Sequence, residues 1–220
     1  MPDKRKHRGA HPDDARLFAP ANHESLRAAV RDYSWLLSRG YAQDSGLKLV
    51  GDRHGLTARQ RMAVMRSACS DMAMDHRRRT GMPLDTVAGG AIGVDGYNLL
   101  ITVESALSGG VILVGRDGCY RDLASVHGTY RRVEETRPAI ELIADCLIEA
   151  GVAKVDWWLD RPVSNSGRLR ALMEEVLASR DVSWRIELAD NPDQALTEYE
   201  GAIVSSDSWV LDRCDAWVNL

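Results

Sequence analysis

The chain has 220 residues, 45% of them apolar, and its 28 Lys and Arg against 32 Asp and Glu leave a formal charge of −4. That is enough apolar material for a core that folds without covalent staples. No apolar run of about eighteen residues occurs, and the basic start, Met1 to Arg8, leads into Gly9-Ala10-His11-Pro12, so neither a membrane span nor a secretory signal is predicted and a cytoplasmic protein is expected.

Residues 1–21 read as a flexible basic N-terminus. From Asn22, Leu26, Val30, Tyr33 and Leu37 recur at helical spacing, and Gly40 supplies the stop. A shorter helix is predicted around Leu47 and Val50, closing near Gly55. A third begins at Thr57, where Thr57-Ala58-Arg59-Gln60 is a capping-box pattern and Met62, Met65 and Cys69 form an inner stripe. Arg59 and Arg66 then share an outer face. Helix, glycine turn and capped helix make a helix-turn-helix-like module over 22–80, with Arg59 and Arg66 as candidate nucleic-acid contacts. A three-helix packing module with solvated arginines is the alternative. The run from Asp75 to Gly90, with its arginines, Pro83 and glycines, reads as a linker.

Beyond it, 89–220 changes to short apolar runs alternating with amphipathic helices. Ala91–Val94, Val155–Leu159, Trp184–Leu188 and Ala202–Val204 are predicted strands, separated by helices near 130–150, 166–179 and 192–199. The expected class is α/β: a small helical module followed by a doubly wound, mainly parallel sheet. Val111–Val114 adds an edge strand or flap.

Charge is divided along the chain. Sixteen basic and 10 acidic residues lie up to Ala88, 12 basic and 22 acidic beyond it. A basic front suits a phosphate backbone and an acidic back suits a metal site, although solvated surface gives either bias. Cys69, Cys119, Cys146 and Cys214 share no CxxC spacing, which argues against structural zinc and leaves buried thiols.

In a parallel sheet, ligands sit beyond the carboxyl ends of the strands. Asp95, Asp160 and Asp207 follow three of the four predicted strands, and the fourth runs out through Asp190. Carboxylates gathered there repel one another unless a base, a proton or a cation intervenes. Oxygen ligands without His or Cys select Mg²⁺ or Mn²⁺ over zinc. Helix capping is the competing use of such aspartates.

Val94-Asp95-Gly96-Tyr97-Asn98 resembles the opening strand motif of PIN-like domains, above all their NYN branch. Trp158-Leu159-Asp160 looks like a second acidic strand end, and Ser205-Ser206-Asp207 with Asp212 is similar to the late Ser/Thr-x-Asp step. The whole chain, including the stretch from Gly115 to Arg132, resembles an archaeal family catalogued as domain of unknown function 434. The PIN-like resemblance implies a metal-dependent nuclease, acting on RNA more than DNA, in which Asp95, Asp160 and Asp207 hold the metal with Asp117 or Asp212. Asn98 and Ser206 would orient ligands, and the counterpart of the family's mid-domain acid lies among Glu104, Asp117 and Asp122. Arg116, Arg121, His127, Arg131 and Arg132 cluster where they could clamp a substrate phosphate, and Arg161 joins them after the second strand. Tyr97, Trp157, Trp158 and Trp209 lie near the same mouth, either to stack bases or to fill the core.

Three other classes lack their signatures. No GxGxxG follows a strand, no GxSxG elbow occurs, and the first strand ends Asp95-Gly96-Tyr97, without the Asp-x-Asp of aspartyl-phosphate chemistry. A non-catalytic nucleic-acid-binding or regulatory protein on the same scaffold remains the rival reading. The sequence is as compatible with a homo-oligomer as with a monomer.

Overall fold

A computed structural model describes residues 7–8, 11–124, 130–180, 182 and 184–220. The front of the chain is helical: α1 (Asp14–Leu17), α2 (Pro20–Ser38), α3 (Gln43–Arg53), α4 (Ala58–Ser67) and α5 (Asp71–Thr80). Pro20 opens α2, where its missing N–H is no loss. The capping box of Thr57 and Gln60 forms at the start of α4 as its sequence predicts. Tyr33, Leu36, Val50, Leu56 and Val64 make a small core of their own. The inner stripe of α4 is Gln60, Ala63 and Val64, while Met65 is 43% exposed.

Two expectations for this half need correction. The segment before Asn22 contributes more than a flexible tail: α1 lies within it, and Asp14 is buried against the Arg59 guanidinium. The expected linker from Asp75 is the second half of α5, which Ser70 caps and which ends with Arg77 buried. A guanidinium that finds fixed carboxylates has no need of water, so the charge run folds as helix.

The second half continues with β1 (Gly81–Met82), a 3₁₀ turn at Leu84–Val87, β2 (Ala91–Asp95), α6 (Gly96–Leu107), the hairpin β3 (Ile112–Val114) and β4 (Tyr120–Asp122), and α7 (Thr136–Glu149). Then come β5 (Lys154–Asp160), α8 (Ser166–Ala178), β6 (Arg185–Ala189), α9 (Pro192–Thr197), β7 (Ala202–Val204), α10 (Ser208–Leu211) and β8 (Trp217–Val218). Six strands form one sheet in the order β1-β8-β7-β2-β5-β6, and every pairing in it is parallel. This is the α/β architecture expected. The helix α6, absent from the periodicity reading, starts directly at the end of β2.

Alternation along the strands sends neighbouring residues to opposite faces. Ile92, Val94, Trp157 and Leu159 join α6, α7 and α8 in the larger core, whereas Trp158 and Ile203 join Leu196 of α9 and Val210 and Leu211 of α10 in the smaller one. Tyr97, Trp157 and Trp158 are therefore core residues. From β2 the chain builds outward through β5 and β6, then returns to the other side for β7 and β8. The crevice between the ends of β2 and β7 is the switch point of the topology, where open α/β sheets bind ligands. Among the described residues no helix is long and apolar enough to cross a membrane.

Candidate functional site

Asp95 ends β2 at this switch point and is 3% exposed. Its Oδ2 accepts hydrogen bonds from Ser205 Oγ at 2.7 Å, across the crevice from the end of β7, and from Asn98 Nδ2 at 2.6 Å. Among the described residues its Oδ1 takes only the longer contact from the Asn98 backbone, 3.3 Å, which caps α6. Burial dominates and raises the Asp95 pKa to about 6, with Ser205 and Asn98 opposing the rise and the charge of Asp193 adding to it. Gly96 explains the tightness of this corner: a Cβ there would sit 2.8 Å from the Trp158 carbonyl oxygen, so only glycine lets α6 leave against β5.

Asp95 is in register with Trp158, so Asp160 lies two residues further along the adjacent strand and on the same face. Strand spacing and rise place the two Cα atoms about 8 Å apart. Burial raises the Asp160 carboxyl. Asp193, which sequence reasoning missed, stands in the first turn of α9. Burial raises it too, and the charges of Asp207 and Asp160 raise it further. Asp207 caps α10, its Oδ1 accepting from Trp209 N at 2.7 Å and Val210 N at 3.2 Å. Asp193 is thus the group through which these carboxylates meet: its charge acts on Asp95, and those of Asp160 and Asp207 act on it. Among the described residues, however, no three His, Cys, Asp or Glu groups are close enough to enclose an ion together.

Other residues singled out from sequence have different work. Asp117 sits in the tight Gly115–Gly118 turn of the hairpin, where Arg77 Nη1 approaches it at 2.6 Å and Arg121 clasps it at 2.8 and 3.0 Å. Burial alone would raise this carboxyl, but Arg121 and Arg77 outweigh it and hold the pKa down at about 2. Arg121 also donates to the Ser206 carbonyl at 2.9 Å, and Arg77 to Asp212 at 2.8 Å and the Ser208 carbonyl at 3.2 Å. Asp117, Asp212 and Arg121 therefore brace the segment that carries Ser206 and Asp207. A carboxylate already neutralised by two guanidiniums has little to offer a cation.

Arg59 and Arg66 are only partly exposed and are engaged within the chain: Arg59 bonds Asp14 and the Leu123 carbonyl, and Arg66 the Asp122 and Ala124 carbonyls. The face expected to meet nucleic acid is the seam between α4 and the hairpin. Arg116 reaches Asp71 and the Cys69 carbonyl, and Arg161 reaches Asp190 and the Leu188 carbonyl. Arg131 and Arg132 are exposed, with the Arg131 carbonyl accepting from Arg8. His127 lies outside the described residues. Glu104 is fully buried in α6 among Arg8, Tyr130 and Thr136, and Asp122 accepts from Thr102. Trp209 is 43% exposed under the Arg213 guanidinium, 4.2 Å from its ring centre.

A cleft of about 530 Å³ opens between the two halves of the chain. Asn98, Ser206 and Asp207 line one wall, and Tyr41, Met65 and Arg66 belong to the other. Asn98, which is bonded to Asp95, and Asp207 thus share this cleft with residues of the helical module.

The sequence model described as "Domain of unknown function (DUF5616)" matches residues 84–220, and the one described as "Protein of unknown function (DUF434)" matches 25–80. The likeness to the latter family, expected over the whole chain, is confined to the helical module. A relative described as "Uncharacterized protein MJ0935", from Methanocaldococcus jannaschii, is 29% identical over 187 residues, covering 85% of this chain and 89% of that protein. No solved structure matches the chain.

Proposed function

This chain belongs to the family described as Domain of unknown function (DUF5616), and we propose that its α/β domain is a PIN-like, metal-dependent phosphodiesterase that cleaves RNA in preference to DNA. The observation that carries this reading is Asp95: a buried carboxylate with a raised pKa, bonded across the switch point to Ser205, within reach of the charge of Asp193, and with Asp160 two residues further along the same face of the adjacent strand. The preference for RNA rests on the resemblance of Asp95-Gly96-Tyr97-Asn98 to the NYN motif.

The donor set fits Mg²⁺ or Mn²⁺ in one manner. These hard ions take oxygen ligands and commonly use one or two carboxylates, with water and substrate phosphate completing the shell. Asp95 would supply one carboxylate, with Asp207, Asp160 or Asp193 the second. Bound there, the ion would polarise the scissile phosphate and lower the pKa of a water molecule. Asn98 and Ser205 fix Asp95 Oδ2 and leave Oδ1 the freer oxygen. Where Asp207 or Asp160 is the second ligand, Asp193, its proton affinity raised by burial and then by its acidic neighbours, would be placed to accept the proton that leaves the attacking water. Arg121 and Arg77 keep the Ser206-Asp207 segment in register with Asp95.

A second reading has its own observation: Asp95 and Asp207 both cap helices, which suits a nucleic-acid-binding protein without catalysis. Incubation of the purified chain with mixed single-stranded RNAs separates the two. Cleavage that requires Mg²⁺ or Mn²⁺ and stops with EDTA is expected. Salt-sensitive binding indifferent to EDTA, with no RNA cut in either ion, would transfer support to the second reading.

A further inference from the structure

We infer that the cleft between the helical module and the sheet is a subsite for one unpaired nucleotide, with Tyr41 as the surface on which its base stacks. This inference rests on the nucleic-acid reading above and deepens it. Gly40 takes the left-handed conformation that ends α2, with φ 77°, and the chain then presents Tyr41 at 54% exposure beside the cleft. Met65, on the outer side of α4, is 43% exposed on the same lining. A wet aromatic ring and a soft thioether lining one cleft suit a flat, polarisable ligand face.

Arg66 supplies the charge. Its guanidinium bonds the Asp122 and Ala124 carbonyl oxygens at 3.0 and 3.1 Å, while the nearest carboxylate oxygen, Asp122 Oδ1, stands 3.6 Å away. Its side chain stays 30% exposed and lines the cleft together with Tyr41, Asn98, Ser206 and Asp207. A base against Tyr41 would put its phosphate in a cleft that Arg66 also lines, as does Asn98, the residue bonded to Asp95. The volume, about 530 Å³, falls in the range of small-ligand sites and suits a single nucleotide. A duplex keeps its bases stacked inside and offers none to such a cleft.

The test is fluorescence anisotropy with a fluorescein-labelled ten-residue oligoadenylate RNA in EDTA, where metal-dependent cleavage is suppressed. Tyr41→Ala is expected to weaken binding about tenfold, as loss of one aromatic stacking surface does. Tyr41→Phe, which keeps the ring, should stay within about twofold of wild type, as should Trp35→Ala, which removes an exposed ring outside the cleft. A labelled hairpin duplex of equal length should bind at least about tenfold more weakly than the single strand. Affinity unchanged in Tyr41→Ala, an equal loss in Trp35→Ala, or no saturable binding by the wild type would each overturn the subsite. Tyr41-dependent binding without cleavage in Mg²⁺ or Mn²⁺ would sink the nuclease reading alone. Cleavage with no role for Tyr41 would sink the subsite alone.

Discussion

Asp117→Ala should lower the stability of the fold by about 3–5 kcal/mol at pH 7, the usual loss when one member of a buried ionic cluster is removed. Arg77 is 2% exposed and Arg121 6% exposed, and Asp117 lies between their guanidiniums. Taking it away leaves two like charges facing each other out of water, with carbonyl oxygens and the half-exposed Asp212 as the remaining acceptors. The low pKa of Asp117, about 2 against an ordinary 3.8, gives the effect a pH signature. A depressed carboxyl contributes its stability above the unfolded-state pKa and loses it as pH falls through the folded value. The difference between wild type and variant should therefore hold above about pH 4 and shrink toward pH 2. Urea unfolding followed by circular dichroism measures it. A loss below about 1 kcal/mol at pH 7 would mean that the three groups do not act as one cluster.

Asp95→Asn is expected to do the reverse, stabilising the fold while abolishing cleavage. Asp95 is buried and its folded pKa, about 6, lies above the ordinary 3.8. The native state thus holds this proton more tightly than the unfolded chain, and the stability so contributed is present below about pH 3.8 and lost as pH rises through about 6. At pH 8 the ionised carboxylate costs on the order of 3 kcal/mol at 1.36 kcal/mol per pKa unit. In EDTA the amide variant should recover up to about that much at pH 8 and almost none at pH 4. In Mn²⁺ the wild type should regain stability by binding, about 2.7 kcal/mol at a hundred times Kd, and the variant should not. Catalysis should fall by about 10²–10³-fold, the loss that follows when several kcal/mol of metal-derived transition-state stabilisation disappear. Tolerating a destabilising group where it is chemically useful is a common compromise in active sites. A variant that melts below wild type at pH 8, or retains full activity, contradicts the assignment.

The parallel sheet was legible because its strands are short apolar runs between amphipathic helices, and Asp95 was legible because it terminates the first of them. Asp193 was not. It lies past the end of its strand, beyond Asn191 and Pro192, and becomes a neighbour of Asp95 only because α9 folds back over β2 and β5. No local pattern reports that return. Asp117 failed in the opposite direction. Its setting in Gly115-Arg116-Asp117-Gly118 looks like an exposed turn, yet Arg77, forty residues earlier, completes a buried cluster around it. The same tertiary pairing turned an apparent linker into the end of α5. Arg59 and Arg66 looked solvated because helical periodicity identifies one apolar face and leaves the rest to water. A second domain packed against that polar face, and its carbonyl groups took the arginines. The glycine at position 96 carried a local clue to close packing, through its place between Asp95 and Tyr97.

The most direct measurement is the position of Mn²⁺ in a crystal of the full chain soaked with that ion and recorded at an anomalous wavelength. A manganese peak is expected roughly 2 Å from an Asp95 oxygen, with a second carboxylate drawn from Asp160, Asp193 or Asp207 and water in the remaining positions. Manganese found only elsewhere, or none near Asp95 at saturating concentration, would show that these acidic groups serve the fold rather than a cation.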